Sequence, residues 1–302
     1  MRRPPLALLL GLLVALPAGA VVHTTGNGAG NTTPPPDDPG FANVGVSSNN
    51  LSGVYLGNRW VLTADHVGEQ GFEFAGVEYQ AVAGSRVSIE KPPGTRADLA
   101  MVRIVGYPPL PPAELSSESP KADDVVTMIG NGWSREANLT CWDPSFTEIA
   151  CPPPGPAPAY QGYLRNGGRL VRWGVNVITM TGLDVTIGSR TTRAFEAVFD
   201  TPGIADEAQS VTGDSGGAAF LKRGATWELV GIQFAMAVFE GQPSNTAVFG
   251  DTSLMVDVFH YRDEIDAILT ASTPQVPAAP WPVLVFGAGI VLATARRALS
   301  RP

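Results

Sequence analysis

Between Tyr107 and Asp124 the chain reads YPPLPPAELSSESPKADD. Five prolines in eighteen residues exclude a helix interior and a central strand, because proline lacks the backbone donor that both need. The stretch is a connection, and it divides the folded sequence in two. On either side short apolar runs alternate with turns. FANVGV, SGVYLGNRWVLTA, FEFAGVEYQAVAG and LAMVRIVG precede it, and VVTMIGNG, LDVTI and RAFEAVF follow it. In GYLRNGGRLVRWGVNVI the Asn166-Gly167 pair predicts a hairpin turn. Val258, Tyr261, Ile265 and Ile268 recur every three or four residues, which predicts an amphipathic helix over about 256–269. Gly 34 and Pro 27 suit a turn-rich β fold. Two β-barrels in tandem, about 41–107 and about 122–255, with a closing helix, are the expected architecture.

The two ends read as targeting elements. MRRPPLALLLGLLVALPAGA has a basic start, an apolar centre and a small-residue site at Ala18-Gly19-Ala20, the pattern of a cleaved signal peptide over 1–20. Residues 21–40 hold Gly, Thr and Pro with little apolar content and predict a disordered lead-in. After a linker over 270–280, residues 281–302 carry an apolar run and then Arg296 and Arg297, which would stay on the cytoplasmic side of a membrane. This tail resembles bacterial PEP-CTERM-type sorting tails, although Ala278-Ala279 follows Val276-Pro277 where Glu-Pro is usual; a plain membrane anchor is the alternative. The terminal segments hold five arginines and no acid, so their removal takes the formal charge from −8 to about −13. Such a surface argues against nucleic-acid binding, which needs a basic footprint. An exported protein, extracellular, periplasmic or at the cell surface, is expected.

Cys141 and Cys151 are the only cysteines, and no histidine stands near them to complete a metal site. A disulfide is expected, contributing about 2–3 kcal/mol for so short a loop. No metal and no cofactor is expected.

The stretch VTGDSGGAAF places Ser215 in a G-x-S-x-G pattern. An α/β-hydrolase elbow would turn from strand into helix, with acid and histidine following the serine. Here AAFLKRGATWELVGIQF reads strand, turn, strand, and His260, the one later histidine, sits in the closing helical stretch. His23 lies in the lead-in. His66, in NRWVLTADHV, stands at the end of an apolar strand, where a scaffold can hold an imidazole. Asp98 opens the apolar strand in RADLAMVRI and suits a carboxylate that orients an imidazole N–H.

WVLTADH, ADLAMVRI and TGDSGGAAF resemble, in order, the histidine, aspartate and serine motifs of chymotrypsin/trypsin-like serine proteases. VVTMIGNGW and WELVGIQF are similar to further strands of that family. The resemblance covers roughly 41–269. It implies an all-β fold of two tandem six-stranded antiparallel β-barrels with a C-terminal helix, and a serine endopeptidase acting on protein or peptide substrates. It assigns Ser215 as nucleophile, His66 as base, Asp98 as its orienting partner, and the Gly213 and Ser215 amides as the oxyanion hole. It puts Gln209 at the floor of the substrate pocket, where an enzyme cutting after Arg or Lys carries aspartate.

The chain departs from the family in places. Asp65 precedes His66 where alanine is usual, and Val67 replaces a cysteine. The cleft strand reads Gln233-Phe234-Ala235-Met236 where Val-Ser-Trp-Gly is usual. In the family a new N-terminal amine often pairs with the aspartate before the serine, here Asp214, but no Ile-Val-Gly-Gly start precedes Phe41. A catalytically inactive protease fold serving as a surface binding module is the alternative reading.

Overall fold

A computed structural model describes residues 21–151 and 157–271; the signal peptide and the tail expected from the sequence lie outside the described residues. In chain order the strands are β1 (Val22–His23), β2 (Val44–Ser47), β3 (Ser52–Gly57), β4 (Trp60–Thr63), β5 (Phe72–Phe74), β6 (Val77–Tyr79), β7 (Val87–Glu90), β8 (Arg96–Arg103), β9 (Val125–Gly130) and β10 (Trp133–Arg135). They continue with β11 (Thr140–Trp142), β12 (Glu148–Ile149), β13 (Tyr160–Arg169), β14 (Arg172–Ile187), β15 (Arg190–Val198), β16 (Ala208–Gln209), β17 (Ala218–Arg223), β18 (Thr226–Ala237), β19 (Thr246–Val248) and β20 (Thr252–Asp257).

The N-terminal half is one antiparallel sheet in the order β6-β5-β2-β3-β4-β8-β7. β8 is buried at six consecutive positions, because both of its faces are covered. The C-terminal half holds a closed six-stranded barrel, β14-β15-β20-β18-β17-β9, and a smaller sheet, β10-β13-β11-β12, with β19 on β13. The all-β class with two units in tandem therefore holds, with seven strands rather than six in the first unit. The units meet in one core, where Val54, Leu62 and Leu99 of the first join Ile129, Phe220 and Ile232 of the second. Tyr261 and Ile265 of the closing segment are buried in the same cluster. That segment starts later than its periodicity indicates. Residues 252–257 finish β20, and the helix α1 runs Arg262–Ala271 after a 3-10 turn. Barrel pairing claims Val256 and Asp257 through β15 and β18.

Two further expectations, the hairpin turn and the disordered lead-in, are corrected, and the expected disulfide holds. No turn forms at Asn166-Gly167. β13 runs straight through it, pairing with β10, β11 and β19, so tertiary pairing overrides a good local turn signal. The Cys141–Cys151 disulfide is present, with Cα atoms 5.5 Å apart.

The lead-in is ordered, not disordered. Val21, Val22 and His23 are buried, and β1 pairs antiparallel with β16. Beyond β1 the strap is held through its carbonyls. Arg135 donates to His23 O at 2.7 Å and Gly26 O at 2.8 Å, and Arg172 donates to Gly28 O at 2.7 Å. Composition missed this, because the strap needs few apolar side chains when arginines satisfy its backbone.

His23 is pushed down to about 4, first by burial and then by the Arg135 and Arg172 charges. Its ordinary value is 6.5, so between these values the unfolded chain binds more protons than the folded one. The stability it confers is complete above pH 6.5 and is lost as pH falls toward 4. Thermal melts followed by circular dichroism should show Tm falling across this window, and His23→Gln should flatten that fall.

Candidate active site

His66 follows β4 on a 3-10 turn, Asp65–Val67. Asp98 projects from β8, two strand positions from its start. Antiparallel pairing of β4 with β8, Thr63 opposite Ala100, brings them together. Asp98 Oδ1 accepts the His66 backbone N–H at 2.9 Å, and Oδ2 lies 2.8 Å from His66 Nδ1. A carboxylate only accepts, so Nδ1 carries the proton and Nε2 is left with its lone pair. The Asp98 side chain is 7% exposed and that of His66 33%: the acid is sheltered and the base faces solvent. The Asp98 backbone N–H donates to Thr192 Oγ1 of β15 at 2.9 Å.

Ser215 lies in the turn between β16 and β17. Its loop docks on the N-terminal sheet, where the Ser52 N–H donates to Ser215 O at 2.8 Å and the Ser52 hydroxyl to Gly213 O at 3.2 Å. Thr63, three residues before His66, donates its hydroxyl to Ser52 O at 2.7 Å. A Cβ on Gly216, whose φ is +85°, would collide with Ser52 O and Thr63 Oγ1, so glycine is what lets the serine loop seat there. The histidine turn and the serine loop thus share Ser52 and Thr63 as a floor. Among the described residues no hydrogen bond joins His66 and Ser215 side chains. Gly213 has φ +111°, and neither the Gly213 nor the Ser215 amide meets an acceptor among the described residues.

Asp214 is fully buried. Its Oδ2 accepts the Val211 N–H at 2.7 Å. Oδ1 accepts the Gly132 N–H at 2.8 Å and the Val21 N–H at 3.3 Å. Side chains on Gly130 or Gly132 would collide with this carboxyl. Burial pushes Asp214 up to about 6, against the pull of these three amides and the Arg165 charge. The Asp214 partners left open by the sequence are thus the amides of Val211, Gly132 and Val21.

A cavity of about 140 Å³ beside Ser215 is lined by Ser210, Thr212, Gln233, Phe234 and Met236 among others. Gln209 is not on its wall, a correction to the pocket-floor expectation. Its buried amide donates to Asp251 Oδ2 at 2.9 Å, since alternation along β16 turns Gln209 away and presents Ser210. Ser210 in turn donates to Gln233 Oε1 at 2.5 Å. Asp65, which stands before His66 where alanine is usual in the family it resembles, turns inward and is fully buried among Arg86, Arg96, Arg190 and Ser88. Sequence reasoning missed Arg190, Thr192, Ser52 and Val21. The first three carry no local pattern, whereas Val21-Val22, two adjacent β-branched residues, is a readable strand start.

No protein-family model and no curated protein matches the chain. Among solved structures the chain is similar to neuropsin, a serine protease expressed in the limbic system of mouse brain, at 16% identity and TM-score 0.48, covering 81% of this chain and 99% of that one. It is also similar to the HtrA-type protease AlgW with a decapeptide, at 18% identity and TM-score 0.43, over 74% of this chain and 52% of that one. Kallikrein-related peptidase 10 matches at 12% identity and TM-score 0.46, over 77% and 98%. These identities leave the chemistry to the residues of this site.

Proposed function

We propose that the protein is an exported serine endopeptidase. The observation that carries this reading is the two-point His66–Asp98 contact, set where the Ser215 loop docks on the same strands. Ser215 Oγ attacks the scissile carbonyl as His66 Nε2 takes its proton. The tetrahedral oxyanion is received by the Gly213 and Ser215 amides. His66 then gives the proton to the leaving amine, and water, deprotonated by the same base, releases the acyl group. Asp98 holds the tautomer and stabilises the imidazolium. The wall of the cavity offers no free carboxylate, because both Asp214 oxygens take backbone N–H groups. Uncharged residues, rather than Arg or Lys, are the preferred side chains before the cut.

Residues 1–20 are the export signal in this reading, 21–40 a strap on the protease domain 41–269, and 281–302 a sorting or membrane-anchoring tail. Among the described residues no helix is long and apolar enough to cross a membrane, and the tail lies outside them. The missing His66–Ser215 hydrogen bond favours the second reading, an inactive binding module. Apo sites often tighten this contact only with substrate bound, so turnover decides between the two. A peptide library incubated with the chain 21–271 and sequenced by mass spectrometry should show new termini after uncharged residues. Intact peptides retained on the protein, with no new termini, would favour the binding module; cuts confined to Arg or Lys would overturn the pocket reading.

A further inference from the structure

The longest hairpin of the barrel reaches the catalytic seam. β14 and β15 pair from Ile178–Ala197 out to Ile187–Arg190, and the residue that follows the tip is Arg190. Its Nε donates to Asp65 Oδ2 at 2.7 Å and lies 4.0 Å from Asp98 Oδ1. Two residues on, Thr192 takes the Asp98 N–H. One strand edge of the C-terminal unit therefore meets both carboxylates that flank His66. Resting on the protease reading above, we propose that Arg190 is a positioning residue for the His66–Asp98 pair, and that Asp65 is the anchor that keeps Arg190 in place.

Asp65 is built for that task. Its side chain is fully buried. It is held by Arg86, by Arg96 at 2.9 Å and by the Ser88 hydroxyl at 2.7 Å. Burial alone would raise its carboxyl, yet Ser88, Arg190, Arg96 and Arg86 together bring it below its ordinary value. Arg86 also donates to Asp65 O at 2.8 Å, which fixes the backbone of the turn one residue before His66. A buried carboxylate is stable only when paired and hydrogen-bonded, and Arg86, Arg96 and Ser88 already supply partners. Arg190 adds a cation that faces both Asp65 and Asp98. A guanidinium suits this place because its donors are fixed in a plane and its charge is permanent. The effect is a charge held beside Asp98 at the atom that takes the His66 N–H, on a strand from the other half of the molecule.

The neighbouring charges are occupied elsewhere. Glu69 accepts the Gly84 and Arg86 amides, Lys91 pairs with Glu264, and Arg193 pairs with Asp184. Asp98, Asp65, Arg86, Arg96 and Arg190 thus form one charged cluster, which reaches the imidazole through Asp98.

The test uses a Ser215→Ala background, so that its reading does not depend on turnover. The His66 ring is titrated by NMR in that chain and with Arg190→Gln, Arg190→Lys or Asp65→Asn added. Loss of the Arg190 cation should move the His66 midpoint up. Loss of the Asp65 anion should move it down, and Arg190→Lys should restore most of the Arg190→Gln shift. In the chain with Ser215 intact, Arg190→Gln should lower kcat about 10–100-fold with KM little changed. Unmoved midpoints, or shifts of the same sign in Arg190→Gln and Asp65→Asn, would overturn the inference. Shifts of the expected signs in a chain that never cleaves peptide would overturn the protease reading and leave the positioning role standing.

Discussion

Ser215→Ala should lower kcat on a peptide substrate by about 10⁴–10⁶-fold and leave the fold in place. The serine hydroxyl is half-buried and takes part in no hydrogen bond among the described residues, so its loss removes chemistry rather than packing. KM should stay within a few-fold, because the cavity walls at Ser210, Gln233 and Phe234 are untouched. His66→Ala should cost a similar factor, and the double variant little more, since both act in one proton transfer. Asp98→Asn should cost about 10⁴-fold, because an amide offers Nδ1 a donor and selects the wrong tautomer. Progress curves with a fluorogenic peptide, read beside thermal melts of each variant, check all of these. Retained turnover in Ser215→Ala would remove the nucleophile from the account.

The second large effect concerns the start of the folded chain. Val21 is 1% exposed, and its nitrogen faces the buried Asp214 carboxylate next to Ser215. In the whole chain that nitrogen is a peptide amide. Removal of residues 1–20 turns it into an ammonium at the same place, giving Asp214 a charged partner where burial now pushes it up to about 6. Breaking a buried ion pair costs about 3–5 kcal/mol, and the Asp214 backbone is one residue from the nucleophile. A chain that begins at Val21 should therefore exceed one that begins at Gly19 by roughly 10²–10⁴-fold in kcat/KM. Asp214→Asn should erase the difference. Activity of the chain that begins at Val21 should also fall at alkaline pH as the ammonium loses its proton, a fall that the Gly19 chain lacks. Equal activity of the two chains would show that the Val21 contact is a strand-end hydrogen bond and nothing more. With the expected outcome, processing of the export signal and assembly of the serine loop are one event.

The site was more legible than its surroundings. His66, Asp98 and Ser215 each sit in a short motif at a strand end or a glycine turn, and the resemblance of those motifs to one protease family is what singled them out. What supports them was not legible. Arg190 lies 92 positions beyond Asp98 in the chain and meets it only because a long hairpin folds back. Asp65 was visible, but no local pattern says whether a carboxylate at a turn faces solvent or an arginine cluster. Gln209 failed by a single position. In a two-residue strand one step swaps the wall of the cavity for the interior. The lead-in failed for another reason. Its order comes from Arg135 and Arg172 donating to carbonyls, and carbonyls carry no sequence signature. Asn166-Gly167 shows the limit of turn propensity, since Ser134 of β10 pairs with Asn166 and holds that backbone in the strand.

The central claim is that His66 activates Ser215 as a nucleophile. Its most direct measurement is labelling of the chain beginning at Val21 with a fluorophosphonate at neutral pH, with the adduct mapped by peptide mass spectrometry. One adduct is expected, on Ser215, lost in His66→Ala and retained in His260→Ala. No adduct on Ser215, or one that survives His66→Ala and disappears with His260→Ala, would contradict it.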